Sequence, residues 1–314
     1  MKRFVAAFLT VLLLFSLVGC GGTESAETPS EPLRIGALKG PTGMGLAPLM
    51  DDESYAFTLA GSADELTPKL VKGELDLACV PANLAAVLYN NTGGAVQVAA
   101  VNTLGVLYVV ANGASVQSVE DLAGRTICAA GKGATPEYTL RYILSEYNIE
   151  ATVEWKSEHA ECVAALLQDE NAVALLPQPF ATSAVMQNEN ARIALDLNQL
   201  WEDLGDRGAL ITGCIVVRRE VAEQRGEALN AFLEDYAASV SWVNENASDA
   251  AALMEQHGII KAAVAEQALP YCHIVCIRGE EMKAQLAGYL SVLAAQNSKA
   301  VGGKLPDEDF YYFK

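Results

Sequence analysis

Residues 33–50 read LRIGALKGPTGMGLAPLM, and this stretch decides the fold. Leu33, Ile35 and Ala37 alternate with Arg34, Gly36 and Leu38, the two-residue period of a short strand. Pro41, Gly43 and Gly45 punctuate a turn, and Leu46, Leu49 and Met50 begin a spacing that suits one helical face. A strand, a glycine loop and a helix start are the result. Glycines let a ligand approach the backbone, and unpaired N–H groups at a helix start offer donors to an anion or a carbonyl. A tight connection that holds no ligand uses the same residues.

The same grammar recurs along the chain. Strands are expected at 55–59, 74–80, 96–101 and 107–111, with helices opening at Ser62, closing at Gly73, and running over 84–89. A second series begins with a capped turn at 118–122. It continues with a strand at 126–130, the loop GKGATP at 131–136 and a helix over 137–147. Strands at 153–156, 172–176 and 193–197 and a helix at 160–167 follow. The apolar run ALITGCIVV, 209–217, suits a buried strand crossing back, and amphipathic helices occupy 228–244, the stretch from Ser248 and 280–295. Strands alternating with helices predict an α/β fold of two similar lobes, each a mainly parallel sheet covered by helices.

At the other end, MKRFVAAFLTVLLLFSLVGC (1–20) places Lys2 and Arg3 ahead of an apolar run too short for a stable membrane span. This is an export leader. Its last four residues, Leu17-Val18-Gly19-Cys20, resemble the bacterial lipobox, which implies cleavage and lipidation (palmitate) at Cys20. The polar stretch GGTESAETPSEP, 21–32, reads as a flexible tether. A protein lipid-anchored at the extracytoplasmic face of the cell membrane is therefore expected. The chain carries 21 basic and 39 acidic residues, a net charge of −18. That balance excludes nucleic acid as a partner class and suits a solvated exterior, while leaving room for a locally positive pocket.

Six cysteines remain beyond Cys20. Cys79, Cys128 and Cys214 lie in apolar strand-like runs, where a free thiol behaves as a small core residue; mostly free thiols are expected, with the pairing among the six left open. Cys272-His273-x-x-Cys276 lacks two further ligands at suitable spacing, so no metal site and no cofactor are expected.

Taken in order, RIGALKGPTGM, KGELDLACVPAN, SVEDLAGRTICAAGKGATPE, AVALLPQPFAT and LPDEDFYY resemble the solute-binding lipoproteins of ABC importers, in the nitrate/sulfonate/taurine and thiamine-precursor group. The resemblance implies a two-lobed periplasmic-binding-protein-like fold of type 2, joined by two crossing strands. It implies lobe one from 33–110 plus 216–314 and lobe two from 111–215. Its implied partners are a small-molecule solute and an ABC permease with its ATPase, for a monomeric binding protein. The ligand would be a small polar solute, anionic or heteroaromatic, closed upon by the lobes.

Loops at the carboxyl ends of the strands would line the cleft. Thr42 with the amides of Gly43 and Met44, and Thr135 from the other lobe, are expected at two facing helix starts. Asn83, Thr103, Gln178 and Thr212 can each donate and accept. Lys39 and Lys132 could neutralise an anion, and Phe180 could stack on a planar ring. Two enzyme groups are implied by the same fold, the thiamine-pyrimidine synthases and the futalosine-pathway enzymes of menaquinone synthesis. The first group's cysteine-rich motif is absent here, and both work inside cells, so the lipobox argues for capture without catalysis. No catalytic residue is expected: His159, His257 and His273 stand beside no nucleophile or metal pattern readable in sequence. A solute sensor for a membrane receptor is the alternative.

Overall fold

A computed structural model describes residues 31–113, 115–205 and 208–313. The expected leader, Cys20 and all of the tether but Glu31 and Pro32 lie outside the described residues. The body begins at Leu33.

The first segment runs β1 (Leu33–Leu38), α1 (Pro41–Met44), β2 (Tyr55–Ala60), α2 (Ala63–Lys72), β3 (Leu77–Pro81), α3 (Ala82–Asn91) and β4 (Val96–Leu104). The second holds β5 (Leu107–Asn112), β6 (Thr126–Ala130), α4 (Thr135–Glu146), β7 (Thr152–Lys156), α5 (His159–Gln168), β8 (Val173–Pro177), α6 (Phe180–Gln187), β9 (Ala191–Asp196) and α7 (Leu197–Asp203). The chain then returns through β10 (Ile211–Arg218), α8 (Arg219–Gln224), α9 (Gly226–Glu245), α10 (Ala247–Gln256), α11 (Ala262–Ala268), β11 (Ile274–Ile277) and α12 (Gly279–Gln296).

These strands form two sheets, ordered β11-β4-β10-β3-β1-β2 and β7-β6-β8-β5-β9. In the first, β1, β2 and β3 pair in parallel, and β10 is inserted antiparallel between β3 and β4. In the second, β6 pairs in parallel with β7 and β8, and β5 runs against β8 and β9. Most strands in each sheet thus point one way, with β10 and β11 running against the rest in the first sheet and β5 in the second. The exchange between sheets falls at 105–106 and between Asp196 and Ile211. It lies a few residues from the expected divisions at 110/111 and 215/216, which run through β5 and β10.

Local chemistry explains the boundaries. Helix α2 starts at Ser62, whose amide donates to the Glu65 carboxylate at 3.0 Å, and ends at Gly73 with φ 78°, a left-handed cap that glycine adopts without strain. Three short helices escaped the sequence reading, among them the eight-residue α6. Helix α7 covers seven residues and α11 seven, too few for a hydrophobic period to register.

Helix α12 serves both lobes. Its Tyr289, Leu290 and Leu293 are fully buried in one cluster with Ala85 of α3, Leu140 and Ile143 of α4, and Trp201 of α7. The ring of Trp201 lies 4.7 Å from Tyr142 and 5.7 Å from Tyr289. Toward the crossover, Gly213 sits where a Cβ would stand 2.6 Å from both Asn102 Oδ1 and Thr42 Cγ2. Gly213→Ala is therefore expected to destabilise the fold by about 1–3 kcal/mol through overpacking, read as a lower urea midpoint at unchanged slope.

Candidate functional site

Three of the sequence-predicted residues meet at one place. Asn83 in the first turn of α3, Thr135 at the start of α4, and Thr212 in β10 line a cavity of about 320 Å³ between the two lobes. Thr135 is the tie across it. Its hydroxyl donates to Asn83 Oδ1 at 3.3 Å and accepts from the Tyr289 hydroxyl at 3.3 Å. A single chain of hydrogen bonds thus joins α12, lobe two and lobe one. Thr212 is turned toward its own backbone, its hydroxyl donating to the Leu104 carbonyl at 2.5 Å. Outside this cavity's lining, the Tyr108 hydroxyl donates to the Tyr271 carbonyl at 2.7 Å.

The remaining wall is mainly hydrocarbon: Leu84, Val106, Leu107, Ala134, Pro136 and Pro177. One further polar group belongs to it. His159, the first residue of α5, lines the cavity, and its Nδ1 is buried with no hydrogen-bond partner among the described residues. Burial holds its pKa below the usual imidazole value, so the ring is neutral near pH 7. The Phe180 ring lies 5.3 Å from the imidazole. Sequence reading set His159 aside because its neighbours in the fold, α3 and the start of α4, are far away in the chain. The only available signal was its place just after strand β7, where open sheets gather their ligands.

The other expected site residues are elsewhere. Lys39 and Lys132 are exposed and do not line the cavity. The expected donors at the first helix start are already used: the Gly43 and Met44 amides both donate to the Gly40 carbonyl, at 2.9 and 3.1 Å. Met44 itself is fully buried in the core. Thr42 offers its carbonyl to Asn102 Nδ2 at 3.1 Å, and the fully buried Thr103 donates to Asn102 Oδ1 at 3.2 Å. Both stand in the layer around Gly213. Gln178 is buried, with Oε1 accepting from the Thr182 amide at 3.2 Å and Nε2 without a partner among the described residues.

The loop that leads into the second helix start is also occupied from within. Glu137, in the first turn of α4, accepts from the Gly133 amide and from Arg141, each at 2.7 Å. Burial pushes its carboxyl up, but the Gly133 amide and Arg141, with the field of Lys132, outweigh that and hold it below the usual range. The chain's own carboxylate thus satisfies the loop that was expected to receive an external anion, because it is tethered one turn away. The cavity presents a neutral imidazole, an amide and two hydroxyls on hydrocarbon walls, with no charged side chain in its lining.

Residues 42–278 match the family model described as menaquinone biosynthesis. The chain belongs to the menaquinone biosynthesis family. No curated protein matches the sequence. Among solved structures, this family member is similar to an ABC transporter protein from Parabacteroides distasonis, with a TM-score of 0.78 and 24% identity over 90% of this chain and 99% of that one. It also resembles the periplasmic aliphatic sulphonate binding protein SsuA from Escherichia coli, at TM-score 0.69 and 19% identity, covering 88% and 92%. A third similar structure is the desulfurization enzyme DSZB, at 0.60 and 12%, covering 85% and 92%. The two-lobed fold of the binding-protein group is thereby shown, and it is shared by binding proteins and an enzyme alike. Among the described residues no helix is long and apolar enough to cross a membrane, and no group of three or more His, Cys, Asp or Glu side chains could hold a metal ion.

Proposed function

We propose that the chain is a solute-binding protein of an ABC import system that captures a small, largely apolar or heteroaromatic solute between its lobes and carries out no chemistry on it. One observation carries this reading: a cavity walled by hydrocarbon from both lobes, with the unpartnered Nδ1 of His159 and no cation on its lining. Burying a ring against Leu84, Val106 and Leu107 gains roughly 25 cal/mol per Å² of apolar surface. One hydrogen bond to His159 would fix the ring's orientation and satisfy a buried group. An inorganic anion would find no cation on that lining. Contacts from both lobes favour the closed arrangement, which the permease would then recognise. The leader and Cys20 supply the membrane tether in this reading.

A second reading is favoured by the family match and by the likeness to DSZB: a neutral, desolvated imidazole inside a water-poor cleft is suited to accept a proton from a bound substrate. Binding without turnover separates the two.

The test is a thermal-unfolding screen of residues 21–314 against planar heteroaromatic and naphthoquinone compounds, thiamine precursors and riboflavin, with nitrate, bicarbonate and taurine alongside. A ligand at a hundredfold excess over its Kd adds about 2.7 kcal/mol to the folded state. The reading predicts that stabilisation from ring compounds, with none from inorganic anions. Stabilisation by nitrate or taurine alone overturns it.

A further inference from the structure

Where the chain passes from the first sheet to the second, residues 104–108 are bound by one short segment of lobe one, 271–273. The Leu104 amide donates to the His273 carbonyl at 3.1 Å. His273 Nδ1 lies 2.5 Å from the Gly105 carbonyl, which can only accept, so this nitrogen carries a proton and donates. Beyond the crossing, the Tyr108 hydroxyl on β5 donates back to the Tyr271 carbonyl at 2.7 Å, and the two rings meet edge to face with centroids 6.0 Å apart. The return crossing packs on the same glycine. The Gly105 amide donates to Asn198 Oδ1 at 3.3 Å, and a Cβ on Gly105 would stand 2.7 Å from Asn198 Cβ and 2.8 Å from Leu210 Cδ2. Both crossings and the 271–273 segment therefore meet at Gly105.

These bonds differ in what lobe movement does to them. Those on Leu104 and Gly105 lie at the crossing itself, where rotation of one lobe against the other displaces atoms least. The Tyr108–Tyr271 bond joins β5 of lobe two to lobe one, so a rotation that parts the lobes stretches it. His273 makes its contact from a left-handed backbone, φ 41°. Asparagine adopts that conformation readily and carries an N–H donor at the same δ position. Val106 and Leu107, the two residues after Gly105, line the solute cavity.

We propose that the 271–273 segment is a catch on the crossing: His273 pins Gly105 as the pivot, and the Tyr108–Tyr271 hydrogen bond holds the lobes at their present angle and gives way when they part. The cavity wall formed by Val106 and Leu107 moves with that pivot.

The experiment uses the full chain in a Cys20→Ser background, with spin labels on Asp64→Cys in α2 and Ala164→Cys in α5, both exposed and one in each lobe. Five of the six native thiols among the described residues are buried, and the intact mass establishes that two labels are carried. Pulsed electron resonance without any solute should give one narrow distance for the otherwise native chain. Tyr108→Phe keeps the ring and loses the bond, and it should add a population at longer distance. Hydrogen exchange reads the pivot separately. His273→Ala, which lacks the donor, and His273→Gly, which lacks the donor but accepts the backbone conformation, should each speed exchange of the Leu104 and Gly105 amides by about tenfold or more, whereas His273→Asn should keep the native rate. A native distance distribution in Tyr108→Phe, or native exchange at Leu104 and Gly105 in His273→Gly, overturns the proposal. Circular dichroism establishes that each variant is folded, and since no solute enters these readings, their outcome is separate from that of the proposed function.

Discussion

Replacing Asp76 by alanine is expected to lower the unfolding free energy by about 3 kcal/mol, with a fall in Tm of about 5 °C. Asp76 has only 1% of its surface exposed, just before β3. Its Oδ2 accepts from the Arg34 amide at 3.0 Å and from Arg34 Nε at 3.1 Å, and its Oδ1 accepts from Arg34 Nη2. Arg225 Nη1 adds a fourth contact at 3.3 Å. Burial raises the carboxyl pKa, but the Arg34 side chain and amide, with Arg225, outweigh it and hold the group below the usual value of 3.8. Removing the carboxylate takes a buried acceptor away from two guanidiniums and a backbone amide. Because the Arg34 side chain is 43% exposed, water takes over part of that role, which places the loss at the low end of the range for buried pairs. Arg225→Ala should cost less, since Arg34 keeps its bonds.

The pH dependence of this pair has a definite sign. A carboxyl whose folded pKa is depressed contributes stability that is fully present above its unfolded value, near 3.8, and is lost as pH falls through the folded value. The gap in stability between the native chain and Asp76→Asn should therefore be constant from about pH 5 to 8 and shrink below pH 4. Urea unfolding over that range checks it. A gap that widens in acid would mean that the carboxylate is not held by the arginines.

The second large effect concerns the cavity. Ala134 precedes α4 and forms part of the wall beside Thr135 and Pro136. Its backbone is extended, with φ −127°, so any L-residue fits the chain there. Ala134→Trp should fill much of the space that a ring would occupy while removing no core contact. The stabilisation of about 2.7 kcal/mol at hundredfold excess of a ring ligand should vanish. The unliganded stability should stay within about 0.5 kcal/mol of native, as for most surface changes.

Legibility in the sequence followed the range of the interaction. Strand β1 was readable because Leu33, Ile35 and Ala37 alternate within six residues, and α2 because Ser62, Glu65 and Gly73 carry cap chemistry within one helix. The Asp76 network was not, since Arg34 lies 42 residues away and Arg225 149. The candidate site divides in the same way. Asn83, Thr135 and Thr212, expected from their loops, line one cavity, but Asn83 is helical, and nothing local shows that Thr135 bonds to it across 52 residues. The anion-binding expectation rested on open amides, and the Gly43, Met44 and Gly133 amides are taken by groups a few residues away, Gly40 and Glu137. Local motif reading identifies which amides could be offered to a ligand. Whether they are offered depends on where a side chain such as Glu137 turns.

In the proposed function a small ring-bearing solute is held in the cleft beside His159 and leaves it unaltered. The most direct measurement is equilibrium dialysis of the best compound from the screen against the native chain and Ala134→Trp, with the compound recovered and analysed by mass spectrometry. Retention by the native chain, loss of retention in Ala134→Trp, and recovery of the compound at its original mass are expected. Equal retention by both proteins would place the ligand outside the cleft, and a recovered product would make the chain an enzyme.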